Sequence, residues 1–260
     1  MCYNTQEVTS MDILISRILK YLNGCLDNDY MYRIGCFIVK NYTKICHYSL
    51  NKLLEEGQFQ ECEVLDFCKH LGFHNFDDFK QTLMIDHQLR NDQIQSRMLN
   101  VDLDKMINHV EKTRDNNEFL KLIDELCELI FKQERIVIIG ALYPTSVAVD
   151  FQTDLITLGK EVVEYHQFDK DFQFTENDIV IFVTATGRSM KSYMPKLKPK
   201  NICAADLVLI TQNIKYTNYD NVCADYIIHV LGKFDGIQFN YQTMMILDII
   251  RIRYYQKYYQ

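Results

Sequence analysis

The sequence predicts an α/β protein: an all-α N-terminal bundle, then a three-layer αβα unit on a five-stranded parallel sheet. Three features lead there. Residues 10–85 carry apolar side chains three and four apart nearly throughout, the period of helices packed on one another. From residue 117 short apolar runs alternate with helical stretches, the pattern of a parallel sheet covered by helices. The third is Asp178-Ile-Val-Ile-Phe-Val-Thr-Ala-Thr-Gly-Arg-Ser189, a β-branched apolar run ending in a hydroxyl cluster.

Within the first half, Ser10 is placed to cap a helix burying Ile15, Ile18, Leu19 and Leu22, with Gly24 near its end. A second helix, roughly 30–41, buries Ile34, Phe37 and Ile38. Ser49 precedes a short helix holding Leu53 and Leu54 and ending at Gly57. The next runs from Gln60 to Leu71, burying Val64, Phe67, Cys68 and Leu71, and stops at Gly72. Asn75 opens one more, with Phe76, Phe79 and Leu83. Residues 86–100 are polar, which suggests an extended linker or a solvated helix. The predicted units are therefore 1–85, a connector over 86–116, and 117–260.

In the second half, Leu120, Ile123, Cys127 and Ile130 mark a helix feeding the strand Arg135–Ile139 and then Gly140. Further strands are expected at Val162–Val163, Ile179–Val183, Leu207–Ile210 and Tyr226–Val230. Helices are expected over 144–158 and from Ile237 to about Tyr255. Met244, Met245, Leu247, Ile249, Ile250 and Ile252 give the last helix more apolar surface than one face needs, so a homodimer or tetramer is expected.

Composition limits the functional classes. With 260 residues and 48% apolar content the chain can bury a large core, and three prolines and nine glycines leave little for disordered linkers. Nine cysteines form no Cys-x-x-Cys pair, as expected of free thiols in a reducing cytoplasm. Neither a signal peptide nor a membrane span is expected. A net charge of −7 disfavours nonspecific attachment to nucleic acid or anionic lipid.

The 178–189 segment carries the chemistry. Ligands of open α/β sheets bind beyond the carboxyl ends of the strands, where Thr184, Thr186, Gly187 and Ser189 fall. Gly187 admits close backbone approach, and hydroxyls with helix N–H groups supply donors for a phosphate; capping of the next helix alone is the competing reading. Helix, Gly-containing turn and helix over 49–71 have helix-turn-helix spacing. His166, just after a strand end near the ligand edge, reads as an incidental loop residue, whereas Cys62, Cys68, His70 and His74 match no common zinc spacing and suggest packing. No metal or cofactor is expected.

Together these segments resemble an RpiR-type transcriptional regulator, a helix-turn-helix unit joined to a sugar isomerase (SIS) domain, over about residues 11–255. Phe67-Cys-Lys-His-Leu-Gly-Phe73 and Phe76-Asp-Asp-Phe-Lys80 resemble the family's Phe-Cys-Lys-Lys-Leu-Gly-Phe and Phe-x-x-Phe-Lys. Thr184-Ala-Thr-Gly-Arg-Ser189 resembles the SIS pattern Ser-x-Ser-Gly-x-Thr, and Leu207–Thr211 with Ala224-Asp225 fit its later strands. The resemblance implies operator DNA as one partner and a phosphorylated sugar as effector, bound by Thr184, Thr186, Gly187, Ser189, Gly140, Thr145 and Ser146. It implies Ser49, Gln60, Glu63, Asp66, Lys69 and His70 at DNA, and no catalytic role.

Two departures stand out. Where the family has Ser-x-Ala-Thr-Val-x-Arg, this chain reads Gln60-Glu-Cys-Glu-Val-Leu-Asp66, placing Glu61, Glu63 and Asp66 on a helix meant to meet phosphates. Residues 1–85 hold eight Lys or Arg against eleven Asp or Glu, a net of −3 where DNA-binding units are usually basic. In the first SIS loop, Leu142 and Pro144 replace a Gly and a Ser. A sensor that has lost DNA binding is therefore the alternative, and a sugar-phosphate isomerase a more distant one.

Overall fold

A computed structural model describes residues 13–140, 148–166, 168–170, 172–188, 190, 205–218, 222, 224–232 and 237–259. The N-terminal helices are α1 (Leu14–Gly24), α2 (Tyr30–Lys40), α3 (Tyr42–Ile45), α4 (Leu50–Gly57), α5 (Glu61–His70) and α6 (Phe76–Met98). Most start as the capping residues dictate. The side chains of Asp29, Ser49 and Asn75 accept the backbone N–H groups of Tyr32, Lys52 and Asp78. Ser10 lies outside the described residues, and α1 begins behind Ile13 without a side-chain cap. After α5, Gly72 turns left-handed at φ 89°, and Phe73 N–H returns to the Cys68 carbonyl, a glycine-assisted stop.

Residue 85 falls inside α6, which continues without a break to Met98 and is followed by α7 (Leu103–His109). Of the two expected forms this stretch takes the helical one, exposed or half-buried over most of its length but packed along a stripe of Arg90, Ile94 and Met98. Its hydrophilic composition misleads because Arg90 is buried as an ion.

The second half follows the expected alternation: α8 (Asn116–Lys132), β1 (Arg135–Gly140), α9 (Val149–Thr157), β2 (Glu161–Glu164), β3 (Asp178–Thr184), β4 (Asp206–Thr211), β5 (Tyr226–His229) and α10 (Ile237–Tyr258). All five strands are parallel in the order β2-β1-β3-β4-β5, the doubly wound arrangement that the sequence predicts. Every residue of β3 is buried, as a central strand covered on both faces requires. One face, with Ile138, Ile181 and Ile210, shares a core with α8, α9, α10 and the N-terminal helices. Val137, Phe182 and Leu209 face the other way, against Met190, Val222 and the aromatic group Tyr165, Phe172 and Phe174.

The helical unit is docked on the sheet unit, with α9 at the seam between α1, α3, α6, α10 and β2. Its residues 151–157 are all buried, including Gln152, Thr153, Asp154 and Thr157. Their polar atoms must therefore find partners. Asn23 Nδ2 donates to Gln152 Oε1 at 2.8 Å, and the Ser16 and Thr153 hydroxyls lie 3.2 Å apart. Asp154, 1% exposed, is clasped by Arg90 of α6 at 2.5 Å and by Arg251 of α10. Burial works against the Arg251 charge, but Asp154, Asp248 and Asp150 together hold its pKa above the ordinary value.

The last helix corrects an expectation. Leu247, Ile249, Ile250 and Ile252 are buried within the chain, because α10 packs against α6, α7, α8 and α9. Among its described residues, only Ile237, Tyr241 and Met244, spaced four and three apart, expose substantial apolar surface before its last turns.

Candidate functional site

At the carboxyl edge of the sheet the strand register aligns three polar residues. Thr184 pairs with Thr211, and Thr211 with His229, at the ends of β3, β4 and β5. Gly140 ends β1 opposite Val183. The chain leaves β1 towards β2 and leaves β3 towards β4, so their loops diverge. This topological switch point is where doubly wound sheets open a ligand crevice.

The loop after β3 is built from its own hydroxyls. Gly187, at φ 74°, adopts the left-handed conformation that glycine tolerates. Its N–H donates to Thr184 Oγ1 at 3.0 Å, while Thr186 Oγ1 accepts from Arg188 Nε at 3.2 Å. Asn213, just past β4, donates through Nδ2 to the Thr186 carbonyl at 2.7 Å and accepts Lys215 N–H at 3.0 Å. Arg188 is exposed at the tip. Beside Asn213, Gln212 is 3% exposed; its Nε2 donates to the Leu231 carbonyl, and its Oε1 has no partner among the described residues. Thr184, Thr186 and Gly187 are thus brought together, and Gly140 ends the neighbouring strand. Ser189, Thr145 and Ser146 lie outside the described residues, as do Leu142 and Pro144. Asn213 and Tyr216 were missed by sequence reasoning; a Thr-Gln-Asn run directly after an apolar strand was the available signal.

The second candidate face is α4, a three-residue turn, and α5. Gln58 makes the turn at φ 54°, left-handed without being glycine. Its side chains are largely committed to the fold. Ser49 caps α4 through Lys52 N–H, and Gln60 stands at the head of α5, where its N–H is accepted by Glu63 at 2.9 Å. Asp66 accepts from the Tyr30 hydroxyl at 2.6 Å, a hydrogen bond that raises the Tyr30 pKa. Lys52 pairs with Glu56, and Lys80 with Asp77. Lys69 and His70 are exposed in the last turn, with the His70 ring edge-on to Tyr21. Glu61 and Asp66 are exposed and Glu63 is half-buried, so the outward surface of α5 is acidic through its first turns.

Other residues find packing roles. Cys68 is buried and Cys62 exposed; burial pushes the Cys68 thiol up to about 12. His166 is not an incidental loop residue: it stacks on Phe168 at 4.9 Å and meets Tyr32 edge-on at 5.9 Å. Burial lowers its pKa, although a hydrogen bond to the Leu22 backbone opposes the shift.

No family model matches the chain. It is 23% identical over 191 residues to an HTH-type transcriptional regulator of Clostridium perfringens, covering 68% of each chain. To one of Haemophilus influenzae it is 22% identical over 242 residues, covering 84% of this chain and 82% of the relative. Both relatives bear out the expected kinship with helix-turn-helix regulators. Among solved structures, NanR of Vibrio vulnificus complexed with ManNAc-6P shares 14% identity at TM-score 0.44, covering 94% of this chain and 92% of that one. The hypothetical protein MJ1247 of Methanococcus jannaschii shares 21% at TM-score 0.48, covering 60% and 88%. These scores are low, and the fold assignment rests on the strand order and register above. Among the described residues no helix is long and apolar enough to cross a membrane.

Proposed function

For a chain related to helix-turn-helix transcriptional regulators, we propose a cytoplasmic regulator of carbohydrate metabolism that senses a phosphorylated sugar. The observation that carries this reading is the hydroxyl-lined loop Thr184–Gly187 at the switch point of a sheet docked on a helix-turn-helix unit. Residues 1–85 form the DNA-binding unit, 86–116 the connection, and 117–260 the effector unit. The effector's phosphate is held by Thr184, Thr186 and Gly187, with Ser189, Gly140, Thr145 and Ser146 completing the seat. The protein acts as a homodimer in which Ile237, Tyr241 and Met244 of α10 meet a second copy.

The reading is regulatory rather than catalytic. Sugar-phosphate isomerisation needs a carboxylate or imidazole base at the sugar carbons. The loop Thr184-Ala-Thr-Gly-Arg188 carries no carboxylate, and His229 Nε2 is 3.3 Å from the Gln212 carbonyl. A second reading, a sensor without DNA binding, is favoured by the acidic surface of α5 alone. Mobility shift of the DNA upstream of the protein's own gene, at low salt, separates them. A specific complex supports the regulator, and no complex at any salt concentration supports the sensor.

A further inference from the structure

Building on the reading of Thr184–Gly187 as the phosphate seat, we propose that Tyr216 sets the affinity of that seat by occupying it. A left-handed φ already selects glycine at 187. The structure gives a second reason. A Cβ at this position would collide with the Tyr216 ring, which lies flush against the Gly187 backbone. The space that a glycine keeps open for close approach is thus filled by a side chain of the same protein.

The ring is placed by the end of β4. Tyr216 closes a short 3-10 turn, Ile214–Tyr216, its N–H bonded to the Asn213 carbonyl at 2.9 Å. Asn213 N–H is in turn accepted by Thr211 Oγ1 at 3.1 Å, and its side chain is fastened to the Thr186 carbonyl. Asn213 therefore staples the β3 and β4 loops together with Tyr216 on the glycine. From the other side, Gly187 N–H is taken by Thr184 Oγ1. Both approaches to Gly187 are used internally, so an incoming phosphate must displace the ring and take over the N–H. Tyr216 is only partly buried, which makes an outward rotation inexpensive. Among the described residues the buried Gln212 Oε1, one residue before Asn213, has no donor partner of the kind a sugar hydroxyl would be.

An occupant that must leave reduces apparent affinity by the fraction of time the seat is open. With the ring away about a tenth of the time, its removal tightens binding about tenfold. The test titrates inorganic phosphate into the full-length chain, reading heat and the backbone amide shift of Gly187. Tyr216→Ala and Tyr216→Leu should both bind several-fold more tightly than wild type, and Tyr216→Phe should match wild type. Leucine keeps apolar packing without the flat ring, so it decides the matter if the alanine variant is unstable. Wild type binding as tightly as the Leu variant, or more tightly, would overturn the gate while leaving the seat in place. No movement of the Gly187 amide in any variant would remove the seat itself, and the gate with it.

Discussion

The two candidate ligand-facing regions keep their polar groups occupied in different ways. On α5 two of the three carboxylates are tied to the fold, Glu63 to the head of its own helix and Asp66 to Tyr30, and the sign of all three charges is fixed by sequence. No side-chain rotation makes that surface attractive to phosphates. At the sheet edge the occupied groups are an N–H held by a threonine and a glycine covered by a ring, which the proposed gating would release by rotation. If the two regions bind as proposed, DNA affinity is limited by charge and effector affinity by conformation. Between the two regions lies the interface of the helical and sheet units, formed by the α9 seam and by α2 on β2.

Breaking that seam gives the largest effect. Asp154→Asn leaves Arg90, deep in the core, without its carboxylate partner, while Arg251 keeps Asp248. Removing one member of a buried pair costs about 3–5 kcal/mol, which lowers Tm by roughly 10 °C for a chain of this size. Thermal unfolding followed by circular dichroism checks this; an unchanged Tm would mean that the pair is not buried in solution.

At the sheet edge, Thr186→Val removes a hydrogen bond to a charged group, about 1.5–3 kcal/mol. Sugar-phosphate affinity should fall at least tenfold, as calorimetry would show. Equal affinity would move the effector elsewhere.

On α5, Glu63→Thr with Asp66→Arg changes the charge by three units in the basic direction. DNA binding should tighten, and each additional phosphate neutralised should steepen the log–log salt dependence by about 0.9. The same change removes the Glu63 hydrogen bond to Gln60 N–H, so a helix penalty of about 1 kcal/mol partly offsets the improvement. Weaker DNA binding by this variant would show that the carboxylates read bases, since Glu and Asp accept from cytosine N4.

The smallest effect is in pH. Because burial depresses the His166 pKa in the folded state, its contribution to stability is full above the ordinary value of 6.5. It is lost as pH falls below 6.5 through the depressed folded value. His166→Phe, which retains the stack on Phe168, should flatten the slope of stability against pH just below 6.5; an unchanged slope would assign the dependence to other groups.

The same physics explains what the sequence revealed. Strands β1, β3 and β4 were legible because β-branched runs buried on both faces have no amphipathic competitor, the short edge strands β2 and β5 because their apolar pairs alternate with helical stretches, and α2, α4 and α5 because a capping or glycine residue marks an end. Helices α3 and α7 were missed: four and seven residues are too few to display a period. The second half of α6 reads as solvated because one of its buried positions is an arginine whose partner, Asp154, is distant in sequence. Similarly, the surplus apolar surface of α10 reads as an interface, whereas several helices of the same chain cover most of it. At the candidate seat, Thr184, Thr186 and Gly187 were legible from a motif. Tyr216 was not, because only the sheet brings the β4 loop beside the β3 loop.

The most direct test of the account is linkage between its two regions. DNA affinity of the wild-type protein, measured by fluorescence anisotropy at low salt, is followed across a titration with sugar phosphates. A coupled regulator changes its DNA affinity about 5- to 150-fold at saturating effector, and Thr186→Val shifts that response to higher concentration. DNA affinity that stays constant while the effector is demonstrably bound would contradict it.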